Sequence, residues 1–371
     1  MQKSFDINSS TGSYNVEIGT NIFQNIIKQN KDSLFIIDLA LKEYIPNYVE
    51  KIIYLEASEK NKSLERIPSY IQKMKEYNLN RESHIYGIGG GVIQDIATFS
   101  SSIYMRGISW SYFPSTLLGM VDSCIGGKSA INLEGKKNLV GNFFPPKNIF
   151  IDLQFLATLS KDHLLGGVFE ASKICYAKGE SEFDYFLNTI NDSSLLDSDG
   201  MPSEIDFYSM IALSLESKKW FIENDEFDQK ERLLLNFGHT FGHAFETATD
   251  YKISHGISVG WGMAVAIEVA KNFELLNNDG DKYTKKMNDF LDKSFSDIKD
   301  MEKIKIKNFD YNLYMKAFRN DKKHLQDKYR VILPCDQGNL GLISLDKNTK
   351  SENIFINASK KYIQAFGLIT E

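Results

Sequence analysis

Along residues 1–160 short apolar or alternating runs recur, each bounded by turn residues: YNVEIG, SLFIID, VEKIIYLE, HIYGIGG, SWSYFP and NIFID. Runs of this length and periodicity predict strands. Between them lie longer segments with helical spacing, SLERIPSYIQKMKEYNL and GVIQDIATFSSSIYM. Strand and helix in alternation predict an α/β domain with a mainly parallel, Rossmann-like sheet. After FLATLS the pattern changes. KDHLLGGVFEASKICYA, EIDFYSMIALSLESKKWFIEN and ERLLLNFGHTFGHAFETAT are amphipathic at helical period, so residues 161–371 read as an all-helical or mainly helical second domain. KYRVILP and LGLISL add one small hairpin near the C-terminus. A length of 371 residues suits two domains.

Composition narrows the picture by exclusion. Hydrophobic residues make up 42% and charged residues 25% of the chain, an ordinary globular balance. No apolar run reaches bilayer length, and MQKSFDINSS lacks the apolar region of an export signal, so a cytoplasmic protein is expected. Cys124, Cys175 and Cys335 are widely spread and odd in number, which fits reduced thiols rather than a disulfide frame or a cysteine zinc site. A net charge of −6 argues against nucleic acid and anionic membrane as partners. An anionic substrate would therefore need cations gathered locally.

Candidate chemistry concentrates in a few stretches. LLLNFGHTFGHAFE sets His239 and His243 four apart, which puts both on one face of a helix, and Gly238 and Gly242 four apart likewise. A glycine inside a helix costs roughly 1 kcal/mol against alanine, so a closely approaching backbone or ligand is expected there. His255 follows after a turn, and the pattern reads either as a metal-binding face or as a close-packing one. Thr240 stands where the zinc-protease pattern H-E-x-x-H requires its glutamate, which removes that chemistry. Arg232 and Asn236 precede the histidines at helical spacing, so one helix would present Arg232, Asn236, His239 and His243 in a stripe.

YGIGGGVIQDIA carries a strand through Gly89, Gly90 and Gly91 into a helix, where amides unobstructed by Cβ atoms can hold a pyrophosphate. Ser115 and Thr116 end a further strand, and Asp38 closes LFIID, where an acidic residue can hold a ribose hydroxyl. GGKSAINLEGKKNLVG gathers Lys128, Lys136, Lys137 and Asn138; FEASK puts Glu170 and Lys173 on one helix face; ESKKW adds Lys218. A carboxylate with two histidines suits a divalent metal, and lysines suit phosphate.

In this order, GGGVIQD, YMRG, PSTLLGMVDSCIGGKSAIN, GKKNLVG, FEASK, LLLNFGHTFGHAFE, the HG at His255 and DKKHLQDKYRVILP resemble the 3-dehydroquinate synthase family. The resemblance spans nearly the whole chain, from YNVEIG to VILP. It implies the dehydroquinate synthase-like fold, with residues 1–160 binding NAD and 161–371 binding metal and substrate. NAD would lie at Asp38, Glu59, Lys62, Gly89, Gly90, Gly91, Val92, Asp95, Ser115, Thr116, Phe155, Thr158 and Leu159. Zinc or cobalt would be held by Glu170, His239 and His255, leaving His243 to the substrate. The substrate, a seven-carbon keto sugar acid phosphate, would meet Arg106, Asp122, Lys128, Lys137, Asn138, Lys173, Lys218, Arg232, Asn236, His243 and the pair Lys322 and Lys323. Of these, His243, Lys128, Lys173, Arg232 and Asn138 would carry the catalysis. The implied reaction oxidises C5, eliminates phosphate, restores the C5 hydroxyl and closes the ring by an aldol step, with no net redox change. The resemblance also implies a homodimer and a place in the shikimate pathway of aromatic amino acid biosynthesis.

The chain departs from the family pattern at several points. Gln94 replaces a glycine before Asp95, Ala40 replaces an asparagine, Ser115 replaces a threonine, and FEASKICYA alters the neighbours of Glu170 and Lys173. Such drift leaves open a sugar phosphate cyclase making a valiolone or scyllo-inosose-type product and, more remotely, a metal-dependent polyol dehydrogenase. The retained Arg232 and Asn236 favour a carboxylated substrate.

Overall fold

The computed structural model describes residues 2–190, 206–299, 306–307, 309–365 and 369–370. They divide into two units: Met1–Leu159 with Lys218–Glu226, and Ser160–Ser217 with Phe227–Glu371. The segment Lys218–Glu226 thus groups with the first unit, whereas the apolar pattern puts it in the helical half.

The first unit is organised by a seven-stranded sheet. Each run expected as a strand forms one: β2 (Gly12–Gly19), β3 (Leu34–Asp38), β4 (Ile52–Leu55), β5 (His84–Gly89), β6 (Ser109–Pro114) and β9 (Asn148–Asp152). Three strands come in addition. β1 (Lys3–Ser9) pairs antiparallel with β2 along the sheet edge, and β7 (Ile131–Leu133) and β8 (Lys136–Val140) make a hairpin inside the lysine-rich loop. Neither element carries a strong hydrophobic signal: Ile7 is the only buried residue of β1, and β8 is largely exposed. The sheet order is β1-β2-β9-β6-β5-β3-β4, with all pairings beyond β1–β2 parallel. From β3 the chain steps outward to β4 and then returns to the other side of β3 as β5. The strand order therefore reverses between β3 and β5, and the crevice beyond their C-terminal ends is where open α/β sheets take ligands. Helices α1 (Ile22–Gln29), α2 (Ile67–Glu76) and α3 (Gly91–Ile103) complete the layer. β3 and β5 are buried almost throughout, as expected of central parallel strands.

The second unit comprises α4 (Lys161–Lys178), α5 (Glu180–Thr189), the first part of α6 (Phe207–Asn224), α7 (His239–Ala248), α8 (His255–Asn272), α9 (Asn278–Lys299), α10 (Tyr311–Arg319) and α11 (Thr349–Ala365). The start of the expected helix EIDFYS, residues 204–205, lies outside the described residues. The short β10 (Ile306–Lys307) pairs in parallel with Ile369–Thr370, and β11 (Lys328–Cys335) and β12 (Asn339–Asp346) form the expected hairpin. The unit is mainly helical rather than all-helical. α8 is buried on all sides from Gly256 to Ile267, which makes it the centre of the unit. Among the described residues no helix is long and apolar enough to cross a membrane.

One expectation is corrected. ERLLLNFGHTFGHAFETAT is not a single helix: Glu231–Asn236 forms a 3-10 turn, Gly238 adopts the left-handed φ of 78°, and α7 begins at His239. Arg232 and Asn236 are therefore not in one stripe with the histidines. The break follows from contact with α8. A Cβ on Gly238 would lie 2.6 Å from the Val259 carbonyl oxygen, and one on Gly242 2.7 Å from that of Ser258. From the opposite side, a Cβ on Gly262 would lie 2.0 Å from the Gly238 oxygen, and one on Gly256 2.3 Å from Gly166 Cα in α4. Both sequence readings of the glycines meet here: they serve close packing, and the packing sets the histidines. Gly262→Ala is expected to lower unfolding free energy by about 1–3 kcal/mol, overpacking outweighing alanine's better helix propensity. A urea midpoint equal to or above that of the native chain would contradict this close approach.

Candidate active site

In the first unit the glycine turn sits at the switch point. Gly90 caps α3, and the first amides of that helix have no intrahelical acceptor. Gly89 packs so tightly that a Cβ there would meet Ile93 at 2.5 Å and Asp38 Cβ at 3.2 Å. A Cβ on Gly90 would touch Thr116 at 3.0 Å, while one on Gly91 would meet nothing within 4 Å. Asp38, the glycines and Thr116 are thus brought together around open space above α3, the form of a pyrophosphate cradle. Ser115 is tied in through its amide, which donates to the Gly89 carbonyl at 3.0 Å. Asp38 also accepts from the Ala40 amide at 3.1 Å, so it serves the turn as well; burial raises its pKa.

Beside this cradle Lys62 is buried and donates to Asp95 Oδ2 at 3.0 Å and Asn138 Oδ1 at 3.0 Å, with Glu59 at 3.6 Å. Desolvation raises the Asp95 pKa to about 6, opposed by the Lys62 charge and the Ala130 amide. Lys218 meets Asp122 Oδ1 at 2.5 Å and also donates to the Asp122 and Ile125 carbonyls at 2.6 and 3.3 Å. Other expected residues stand differently. Arg106 and Lys137 are exposed, as is Asn138 apart from its bonds to Lys62 and Asn132, and Lys128 is exposed with its ammonium 6.0 Å from the Phe143 ring centre. Phe155 is wholly buried against Phe23, so its side chain belongs to the core. Thr158 Oγ1 donates to the Phe155 carbonyl, and the Leu159 amide to that of Leu156, closing the turn after β9.

In the second unit three helices deliver one cluster. Glu170 and Lys173 are buried in α4 and pair through Glu170 Oε2. Glu170 Oε1 has no hydrogen-bond partner, yet His255 Nε2 lies 3.4 Å and His239 Nε2 3.9 Å from it. The opposite ring nitrogens are held: His239 Nδ1 lies 3.3 Å from the Phe237 carbonyl, and His255 Nδ1 lies 3.1 Å from Glu246 Oε1. Acceptors at both Nδ1 atoms favour protons there, so that once a cation displaces the proton on His255 Nε2 both Nε2 lone pairs would face the same point beside Glu170 Oε1, which is how metal-binding histidines are oriented. These residues fit a divalent cation. A second grouping, His239, His243 and His255, also has its ring nitrogens within 4.8 Å of one another. It differs in support, since none of the described residues hydrogen-bonds the His243 ring.

Burial and the Lys173 charge hold the His239 pKa well below its ordinary value. His243 has an exposed edge but is surrounded by protein atoms, and desolvation with the His255 charge lowers its pKa to about 4. Burial also acts to lower His255, but the neighbouring Glu170 and Glu246 carboxylates outweigh it and raise the pKa to about 10. A histidine between two carboxylates binds a proton tightly or, in its place, a metal cation. Arg232 is buried in the 3-10 turn. Asn236, Thr240, Lys323 and Arg330 line a small cavity, whereas Lys322 is exposed.

Three residues here were missed in reading the sequence. Glu246 carried a signal, since His239, His243 and Glu246 fall at i, i+4 and i+7 on one helix face. Asn132, which donates to Glu59 Oε2 at 2.8 Å and accepts from the Asn138 amide at 2.9 Å, carried none. Arg330 sits in a strand pattern that gave no reason to single it out.

A nucleotide-type sheet crevice followed in the chain by a carboxylate–histidine cluster on glycine-packed helices is the arrangement of an α/β-plus-helical enzyme of the dehydroquinate synthase-like fold. The chain belongs to the 3-dehydroquinate synthase family: residues 52–166 match the 3-dehydroquinate synthase N-terminal model and residues 167–324 the C-terminal one. It is 35% identical to the 3-dehydroquinate synthase of Dictyoglomus thermophilum, covering 92% of this chain and 93% of that one. Against the 3-dehydroquinate synthase of Campylobacter jejuni strain RM1221 the identity is 36%, over 83% of this chain and 85% of that one. Two solved structures share the fold at 22% identity. One is 2-deoxy-scyllo-inosose synthase complexed with carbaglucose-6-phosphate, NAD+ and Co2+, with a TM-score of 0.79 over 95% of this chain and 100% of that chain. The other is 2-epi-5-epi-valiolone synthase from Streptomyces hygroscopicus subsp. jinggangensis 5008 with NAD+ and Zn2+ bound, with a TM-score of 0.76 over 96% and 98%.

Glu246→Gln keeps the size of the side chain but weakens the hold on His255 Nδ1. Zinc affinity, measured by chelator competition, is expected to fall about 10- to 100-fold. Unchanged affinity would mean that Glu246 does not orient the ligand.

Proposed function

We infer that this chain converts 3-deoxy-D-arabino-heptulosonate 7-phosphate to 3-dehydroquinate and phosphate, using NAD catalytically and a divalent metal. The observation that carries the reading is the 34–36% identity to 3-dehydroquinate synthases over most of the chain, joined to the convergence of Glu170, His239 and His255. One carboxylate oxygen and two imidazole nitrogens form a donor set suited to zinc or cobalt. Bound NAD would supply reversible oxidation at one carbon, and the cation Lewis acidity at the neighbouring oxygen.

The remaining work falls to the chain's own side chains. Asp38 and the amides of Gly91 and Val92 hold the dinucleotide, with Ser115, Thr116, Asp95 and Lys62 beside it. Lys128, Lys137, Lys173, Lys218 and Lys323 supply the positive charge that a phosphorylated sugar acid needs from a chain of net charge −6. Arg232 and Asn236 take the carboxylate, the group that distinguishes this substrate from those of the related cyclases. His243, which its depressed pKa keeps neutral near pH 7, handles protons at the reacting carbons. We assign the protein to the cytoplasm and to the shikimate pathway, and expect it to act as a homodimer.

Purified protein with NAD, zinc or cobalt and the carboxylated seven-carbon phosphate is expected to release phosphate and form dehydroquinate with no lasting NADH absorbance. Turnover of a carboxylate-free heptulose phosphate in preference would contradict the substrate, and steady NADH accumulation with a polyol would contradict the reaction. Arg232→Ala should cut kcat/KM by the equivalent of roughly 2–5 kcal/mol, the cost of losing one partner of a buried charge pair. Native kinetics in that variant would remove Arg232 from the carboxylate site.

A further inference from the structure

Gln94, one of the points where the chain departs from its family's pattern, is buried in the first turns of α3 with 4% of its surface exposed. Its amide group makes two hydrogen bonds to a single residue. Nε2 donates to the Ser123 carbonyl at 2.6 Å, and Oε1 accepts from Ser123 Oγ at 2.8 Å. Ser123 ends the π-helical turn Gly119–Ser123, in which the Cys124 amide reaches back five residues to the Gly119 carbonyl at 3.1 Å. A helical turn leaves its last carbonyls without internal donors, and they must be met from outside. Here two side chains meet them. Gln94 takes the Ser123 carbonyl, and Lys218 takes that of Asp122 at 2.6 Å together with the Asp122 carboxylate at 2.5 Å. Adjacent carbonyls of one turn are thus held by adjacent clamps, and the position of one constrains the other.

We propose that Gln94 is a positioning residue, which fixes the turn bearing Asp122 and through it the Lys218 ammonium that meets the anionic substrate. The proposal rests on the substrate role assigned to Lys218 above. It separates Gln94 from its neighbour Asp95, which faces Lys62 at 3.0 Å and the Ala130 amide at 2.8 Å on the dinucleotide side. Disturbing Gln94 should therefore act on the sugar phosphate and not on NAD.

The test uses Gln94→Met, which preserves length and packing while losing both bonds, alongside Ser123→Ala, Lys218→Met and the Gln94→Met/Lys218→Met double variant. In Gln94→Met, kcat/KM for the sugar acid phosphate should fall roughly 3- to 10-fold, as for one or two lost neutral hydrogen bonds, with NAD affinity unchanged. Ser123→Ala should lose less, and the double variant should be no worse than Lys218→Met alone. Acetylation of Lys218 by acetic anhydride, followed by mass spectrometry, reads its positioning without turnover and should quicken several-fold in Gln94→Met. Losses that multiply in the double variant, a shift in NAD affinity instead, or unchanged Lys218 labelling would each overturn the proposal. Absence of turnover by the native chain would overturn the functional reading instead, and the labelling would still decide the role of Gln94.

Discussion

The structure of the metal-type cluster depends on how closely α8 approaches α7 and α4. Side chains at all three contacts are reduced to hydrogen: Gly238 and Gly242 face α8, Gly262 faces back, and Gly256 lies on Gly166. Backbones this near bring residues from three helices to one point without long side-chain reaches. His255 starts α8, His239 starts α7 immediately after the left-handed Gly238, and Glu170 lies mid-helix in α4. A methyl group at Gly238, Gly242, Gly256 or Gly262 would force the facing backbone to shift. The glycines that weaken helix propensity are therefore part of the site's geometry, and tertiary packing overrides local preference here.

Electrostatics then sets what the cluster can hold. Burying Glu170 and Lys173 together costs desolvation that their mutual attraction has to offset, so the pair is weak evidence of stabilisation. The same holds in the first unit, where burial raises Asp95 against the pull of Lys62. A chain with net negative charge thus buries selected lysines, Lys62, Lys173 and Lys218, beside carboxylates. Glu246 refines the arrangement by holding the far side of the His255 ring.

Much of this was readable in the sequence, and for identifiable reasons. The central strand β3 is a nearly continuous apolar run, and β5 and β6 are apolar enough to read as strands, because both their faces are covered; the hairpin β11–β12 is visible as two apolar runs. β1 and β8 were not, since an edge strand with one buried residue and an exposed hairpin arm leave little hydrophobic pattern. Helical spacing from Arg232 to His243 suggested one continuous stripe; the break at Gly238 depends on α8, a contact that local periodicity does not encode. The metal-type residues stood out by type and spacing, as did Asp38 and the glycine turn. The clamps of Gln94 and Asn132 did not, because a buried amide finds its partners through tertiary contacts far along the chain.

We propose that Glu170, His239 and His255, and not His243, hold the metal. Anomalous diffraction at the zinc edge from metal-loaded crystals tests it most directly. A single peak is expected within about 2.0–2.2 Å of Glu170 Oε1, His239 Nε2 and His255 Nε2, with His243 beyond bonding distance. A peak bonded to His243, with Glu170 still engaged only by Lys173, would contradict it.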